Sequence, residues 1–283
     1  MLLAQFIREG TAALGALYDP REAAGLVQRL CNGVLGVSSY AHIVEPSLEV
    51  PPCDLPRLQE GLARLLAGEP LQYVLGYQEF CGRRFKVGPA VLIPRPETEE
   101  LAAVASVWLR QGGGRALDLC TGSGCIAWTL ALDAPGSAVT AVDISDAALS
   151  IARRQFDNSR ESQPCFIMAD VLKVPEEFPG APFDVLTANP PYIRESEKQF
   201  MHRNVLEHEP ELALFVPDAD PLLFYRATAE WARRFLKPEG RGIVEINEQL
   251  GAETAAVFEA AGLKEVTILR DFRQKERFIS FSK

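Results

Sequence analysis

An α/β fold, a mostly parallel sheet with helices on both faces behind a small helical domain, is predicted by three features of this 283-residue chain. From Arg115 onward, short apolar runs alternate with helical patterns, the rhythm of βαβ units. Only "DFRQKE" separates the last two apolar runs, too little for a right-handed crossover, so the final strand turns back antiparallel. The first seventy or so residues carry apolar side chains at three- and four-residue spacing, which is helical.

Taken in order, "LLAQFIREGTAALGAL", "REAAGLVQRLCNGVLG" and "DLPRLQEGLARLLAG" supply helices to a first domain over residues 1–72, punctuated by Gly36, Pro46, Pro51, Pro52 and Pro56. Aromatic and β-branched residues around a Cys-Gly turn in "LQYVLGYQEFCGRRFKVG" predict a β-hairpin or short strands, so residues 73–95 are assigned to a hairpin linker. "VLIPRPETEELAAVASVWLR" opens a helix with Pro96 at its first position and acids in its first turn. Residues 96–283 then form the main domain. Its strands are "RALDLC", "AVTAVDI", "CFIMAD", "FDVLTA", "RGIVEI", "KEVTILR" and "RFISFS". Its helices are "GCIAWTLALD", "SDAALSIARRQFDN", "PLLFYRATAEWARRFL" and "GAETAAVFEAAG".

Composition narrows the class of function. A net charge of −9 argues against a broad nucleic-acid footprint, which needs a basic face. No apolar run approaches the ~20 residues of a membrane span, and the N-terminus lacks a basic-then-apolar signal pattern. The six cysteines include no C-x-x-C, and the three histidines form no ligand cluster with them, so reduced thiols, no metal and a cytoplasmic location are expected.

"LDLCTGSGCIA" places Gly122 and Gly124 at a strand-to-helix turn, where glycine lets the backbone approach a ligand and exposed N–H groups favour polar or anionic groups. Asp143, about twenty residues on at the end of the next strand, suits the two hydroxyls of an adenosine ribose. A nucleotide-type ligand at this sheet edge follows. With Ala127 in third position the loop also fits G-x-G-x-x-A, which leaves a dinucleotide enzyme open. Asp118 lies inside an apolar strand, where a carboxylate is costly unless hydrogen-bonded, so it either orients the glycine loop or meets a cationic ligand group. Asp170 ends the third strand and either holds the base amino group or caps a turn.

At the end of the fourth strand stands "ANPPYI". Neither Pro190 nor Pro191 has an N–H for a sheet ladder, so the strand must end there. A planar amide or aromatic amine is a poor nucleophile because its lone pair is delocalised. The side-chain oxygen of Asn189 and the carbonyl of Pro190 can accept its two N–H groups, and the prolines keep both acceptors aimed. Tyr192 can lie over the planar group and its developing charge. An electrophilic methyl on a sulfonium, presented from the glycine loop, completes a methyl transfer.

These residues resemble the amino-methyltransferases that use S-adenosyl-L-methionine, and more specifically the PrmC/HemK release factor glutamine methyltransferases. "PLQYVLGYQEFCGRRFKVGPAVLIPRPETEEL" is similar to that family's linker and first helix, and "DLCTGSGCIA", "AVDISDAAL", "NPPYI", "LEHEPELAL" and "LKPEGRGIVEI" continue the match in order over roughly residues 70–283. The resemblance implies a Rossmann-like class I methyltransferase sheet, with S-adenosyl-L-methionine as cofactor and S-adenosyl-L-homocysteine as product. The implied substrate is the glutamine of the G-G-Q motif of class I peptide chain release factors, methylated on its side-chain nitrogen, with the helical domain docking the release factor. By match, Asn189, Pro190 and Tyr192 carry the transfer, and Pro191 joins them in holding the glutamine. The cofactor falls to Asp118, Cys120, Thr121, Gly122, Ser123, Gly124, Asp143, Asp170 and Asn189.

Two departures stand out. Cys120 replaces a usual glycine, and "FVPDADPL" (215–222) lacks the glycines common there. By the same match the "RPETE" run (95–99) borders the pocket, with its chemical role open beyond starting a helix. Rival readings are methylation of a ribosomal-protein glutamine or of adenine amino groups in nucleic acid, an NAD-dependent oxidoreductase, and a non-catalytic nucleotide sensor. Net charge and the lack of a basic-aromatic segment weigh against nucleic acid. The oxidoreductase leaves Asn189 to Tyr192 unexplained. A monomer that binds neither membrane nor nucleic acid is expected.

Overall fold

The computed structural model describes residues 1–112, 114–156 and 163–283. The chain forms two compact units, Met1–Tyr77 with His202–His208, and Gln78–Met201 with Glu209–Lys283.

The first unit is helical: α1 (Leu3–Leu14), α2 (Pro20–Leu35), a one-turn α3 (Ala41–Val44), α4 (Leu55–Leu66) and α5 (Leu71–Leu75). Helix α2 shows why these segments start and stop where they do. Asp19 caps it by accepting from the Arg21 and Glu22 amides, Pro20 opens it, and Gly36 ends it in the left-handed region at φ 70°. Apolar faces converge on a core that includes Phe6, Leu14, Val27, Leu30, Leu58 and Leu65. The expectation of strand from Leu71 is corrected here. Leu71–Leu75 is a short helix that Pro70 starts and Gly76, at φ 78°, stops, with Leu71 and Tyr73 buried.

Strands β1 (Tyr77–Phe80) and β2 (Arg83–Lys86) follow, joined by the expected turn, with Cys81 and Gly82 both at positive φ. Next come α6 (Pro96–Gly112), β3 (Arg115–Leu119), α7 (Cys125–Asp133), β4 (Ala138–Asp143), α8 (Asp146–Ala152) and β5 (Cys165–Met168). Helix α8 ends earlier than its pattern suggests, and Asp157 and Asn158, expected in it, lie outside the described residues. After β6 (Phe183–Ala188) and the two-residue β7 (Ile193–Arg194) come α9 (Arg203–His208), which belongs to the first unit, and β8 (Phe215–Val216). The chain closes with α10 (Leu223–Phe235), β9 (Leu236–Glu245), α11 (Gly251–Ala260), β10 (Lys264–Arg270) and β11 (Glu276–Ser282).

Seven strands form one sheet in the order β10-β11-β9-β6-β3-β4-β5. The pairs β6–β9, β3–β6, β3–β4 and β4–β5 are parallel; β11 is antiparallel to β10, as their short connection demanded, and also to β9. Alternate residues face opposite sides, so Ala116, Val139 and Val185 join one core with α6 and α7, while Leu117, Val142 and Leu186 join another with α10 and α11. Helix α7 is apolar all round because every residue from Cys125 to Ala131 is buried. Among the described residues, no helix is long and apolar enough to cross a membrane.

Candidate active site

Strand order positions the site. The chain winds from β3 outward to β4 and β5, then returns to place β6 on the other side of β3. A crevice opens at the carboxyl ends of the strands where the winding reverses. Leu119 pairs with Ala188 and Ala188 with Val244, so the residues that follow, Cys120, Asn189 and Glu245, leave neighbouring strands at one edge.

The loop after β3 carries three left-handed residues, Cys120 (φ 58°), Gly122 (φ 54°) and Gly124 (φ 79°). A side chain on Gly122 would meet nothing within 4 Å, which leaves its backbone open to a ligand. Gly124 serves packing instead: a Cβ there would lie 3.0 Å from the Ala152 Cβ and 3.2 Å from the Trp128 ring. Cys120 takes up a conformation that glycine adopts without strain, which is the structural face of its departure from the family pattern. Burial, with the nearby Asp143, Asp118 and Asp170 carboxylates, pushes its thiol well above the ordinary range, so it stays protonated.

Asp143 braces the loop. Its Oδ2 accepts from the Gly122 amide at 2.8 Å and its Oδ1 from the Ser145 amide at 2.9 Å. Burial raises its pKa against those bonds. Asp118 is fully buried and accepts from the Thr121 hydroxyl at 2.6 Å and the Thr187 hydroxyl at 2.7 Å. Desolvation pushes its carboxyl up to about 7. Of its two sequence readings, these bonds fit the orienting of the loop. Asp170 accepts from the Leu172 amide at 3.0 Å, the turn-capping arrangement, while still reaching the cavity.

A cavity lies over this edge. Its floor holds Cys120, Thr121, Gly122, Ser123, Asp143 and Asp170, and Asn189 and Pro191 stand at one end. Val91, Leu92, Pro94 and Thr98 form a second wall, and Pro210, Leu212 and Ala213 a third. Asp118, Gly124, Pro190 and Tyr192 do not line it. Glu209 holds the second and third walls together, accepting from the Ile93 amide at 3.1 Å and from Arg95 at 2.7 Å.

Behind Asn189 lies a polar cluster. Its Nδ2 is 3.4 Å from the Thr98 Oγ1, the Thr98 hydroxyl donates to Glu245 Oε2 at 2.6 Å, and the Tyr192 hydroxyl donates to Glu245 Oε1 at 2.9 Å. Tyr192 is therefore anchored by its hydroxyl, and its ring packs against the core beneath α10 rather than facing the cavity. Burial and the Glu245 carboxylate push its phenol well above its ordinary value. Asn247 fixes the turn from below, donating to the Tyr192 carbonyl at 3.1 Å.

Glu209, Glu245 and Asn247 were not foreseen from the sequence, and Thr98 only as part of a run bordering the pocket with no role assigned. Glu245 carried a usable signal, since it ends an apolar strand just as Asp143 does. Among the described residues, no group of three or more His, Cys, Asp or Glu is placed to hold a metal ion.

Comparison with known proteins follows the same division of the chain. Residues 5–76 match the PrmC N-terminal domain family and residues 98–212 the Methyltransferase small domain family. A release factor glutamine methyltransferase of Bacteroides thetaiotaomicron is 40% identical over 95% of this chain and 95% of its own length. One from Flavobacterium psychrophilum is 36% identical over 99% of this chain and 98% of its own. Among solved structures, a methyltransferase from Pyrococcus furiosus shares the fold with a TM-score of 0.52 at 18% identity, covering 80% of this chain and 98% of that one.

Proposed function

The chain belongs to the family of release factor glutamine methyltransferases, and from that premise we propose how its own residues perform the reaction. It is an enzyme that transfers a methyl group from S-adenosyl-L-methionine to the side-chain nitrogen of a release factor glutamine. The glutamine is that of the G-G-Q motif of class I release factors, and the product cofactor is S-adenosyl-L-homocysteine.

When bound, the cofactor supplies an electrophilic methyl on a sulfonium. The residues fit it: Gly122 leaves open space where a side chain would stand, and Asp143 and Asp170 bring carboxylates to the same cavity. Cys120, Thr121, Ser123 and Asp143 are assigned to its tail and ribose, and Asp170 to its base. Asp118 and Gly124 act beneath, by holding the loop in shape.

The observation that carries the reading is Asn189 at the end of β6, projecting into the cavity that the glycine loop floors. Its Oδ1 accepts one N–H group of the substrate amide in the cavity, and the other is assigned to the carbonyl of Pro190, which lies between the lining residues Asn189 and Pro191 without lining the cavity itself. Two fixed acceptors orient the nitrogen and favour the positive charge that develops on it, without reorganisation during transfer. No strong base is needed, because a methylated amide nitrogen bearing that charge is strongly acidic. Pro191 closes the wall beside the amide, and Tyr192, tied to Glu245, stiffens the turn. The helical first domain docks the release factor. The enzyme works as a cytoplasmic monomer without a metal, membrane or nucleic acid.

Single-turnover transfer to a purified release factor tests the assignment of Asn189. Asn189→Ala should slow transfer by about 10²–10³ while S-adenosylhomocysteine binds as before. Lost cofactor affinity with an unchanged bound-state rate would remove Asn189 from the acceptor site.

A further inference from the structure

The "RPETE" segment, expected to border the pocket but with no role assigned, places Thr98 in the cavity wall between Asn189 and Glu245. We propose that Thr98 is a positioning residue for the transfer: with its hydroxyl proton committed to Glu245, it holds the Asn189 amide so that the oxygen, not the NH2, faces the substrate. The inference rests on the reading of Asn189 as the acceptor-holding residue.

An asparagine amide has an accepting end and a donating end of nearly equal shape, and packing alone does not choose between them. Only one end is useful here. A substrate amide presents N–H groups, so the donating end of Asn189 would oppose them. Something fixed must therefore select the rotamer. A hydroxyl does not suffice alone, since threonine donates or accepts as its neighbours require.

Glu245 removes that freedom. It is 1% exposed, so water does not compete for its oxygens. A carboxylate only accepts. Its two oxygens take the Thr98 hydroxyl at 2.6 Å and the Tyr192 hydroxyl at 2.9 Å. Burial raises the Glu245 carboxyl above its ordinary range, and the Thr98 and Tyr192 hydroxyls, with the Arg277 guanidinium that Asp271 and Glu248 hold, oppose that shift; the two donated hydroxyls fix it as the acceptor. With its proton spent, Thr98 Oγ1 offers only lone pairs toward Asn189. The Asn189 NH2 lies there at 3.4 Å, whereas the reversed amide would set oxygen against oxygen. Polarity thus runs from a buried carboxylate through a hydroxyl to the amide.

The test is a double-mutant cycle on steady-state methyl transfer to a purified class I release factor, with S-adenosylhomocysteine affinity measured alongside. Thr98→Val keeps the shape and removes the hydroxyl; it should lower kcat about 10- to 100-fold, with cofactor affinity unchanged. Thr98→Ser restores the hydroxyl and should recover the rate. In an Asn189→Ala background, Thr98→Val should change kcat by no more than about threefold, because its target is gone. Glu245→Met, where it folds and binds cofactor, should reproduce the loss of Thr98→Val.

A full, independent loss on top of Asn189→Ala would overturn the proposal, as would wild-type turnover by Thr98→Val or by folded Glu245→Met. Those outcomes leave the functional reading standing, since that is carried by wild-type transfer and its loss in Asn189→Ala. Absence of transfer by the wild type would overturn both.

Discussion

Asp118 places a carboxyl where no water reaches it, among the hydroxyls of Thr121 and Thr187. Burial dominates, and its carboxyl titrates near about 7 in the folded chain. The folded state therefore binds this proton more tightly than the unfolded one. The resulting stability is complete below the unfolded carboxylate range and is lost as pH rises through about 7. From the size of the shift it amounts to about 4 kcal/mol. Urea unfolding of cofactor-free wild type and Asp118→Asn across pH 4.5–8 checks it, with the common titrations cancelling in the difference. The wild type should gain on the variant as pH falls, and parallel curves would show that Asp118 is ionised throughout. At this scale the sequence displayed the glycines, Asp118, Asp143 and Asn189 to Tyr192, because each is marked by its immediate neighbours. The role of Thr98 stayed hidden, since its partner Glu245 is 147 positions away and the two meet only where the start of α6 lies against the end of β9.

Among the elements, β9 shows how tightly neighbouring strands set side-chain size. Gly242 pairs with Phe281 of β11, and a Cβ at Gly242 would sit 2.1 Å from the Phe281 ring. Gly242→Ala should displace that ring from the core it shares with Phe258, lowering stability by about 1–3 kcal/mol. A denaturant midpoint equal to wild type would mean the ring moves without loss. The alternation of strands and helices was legible because the parallel strands are short, mostly apolar runs and helices such as α2, α4 and α10 keep their period. Leu71–Leu75 was not, since five residues are too few to show a period and its aromatic content favours strand. The assignment of α9 to the first unit was equally out of reach, because it rests on contacts far apart in sequence.

For the whole molecule, every cavity-lining residue lies in the second unit, so ligand occupancy should stabilise that unit in particular. S-adenosylhomocysteine at about a hundred times its Kd should add about 2.7 kcal/mol, visible by calorimetry as a rise of several degrees in that unit's transition. NAD should add nothing, and the opposite pattern would restore the oxidoreductase reading. A net charge of −9 agrees with a protein partner rather than a nucleic-acid one. The most direct test of the central claim is the peptide mass of an unmethylated class I release factor after incubation with the enzyme and S-adenosylmethionine. The account predicts one added methyl on the G-G-Q glutamine, absent with Asn189→Ala. An unmodified glutamine from an enzyme that binds the cofactor would contradict it.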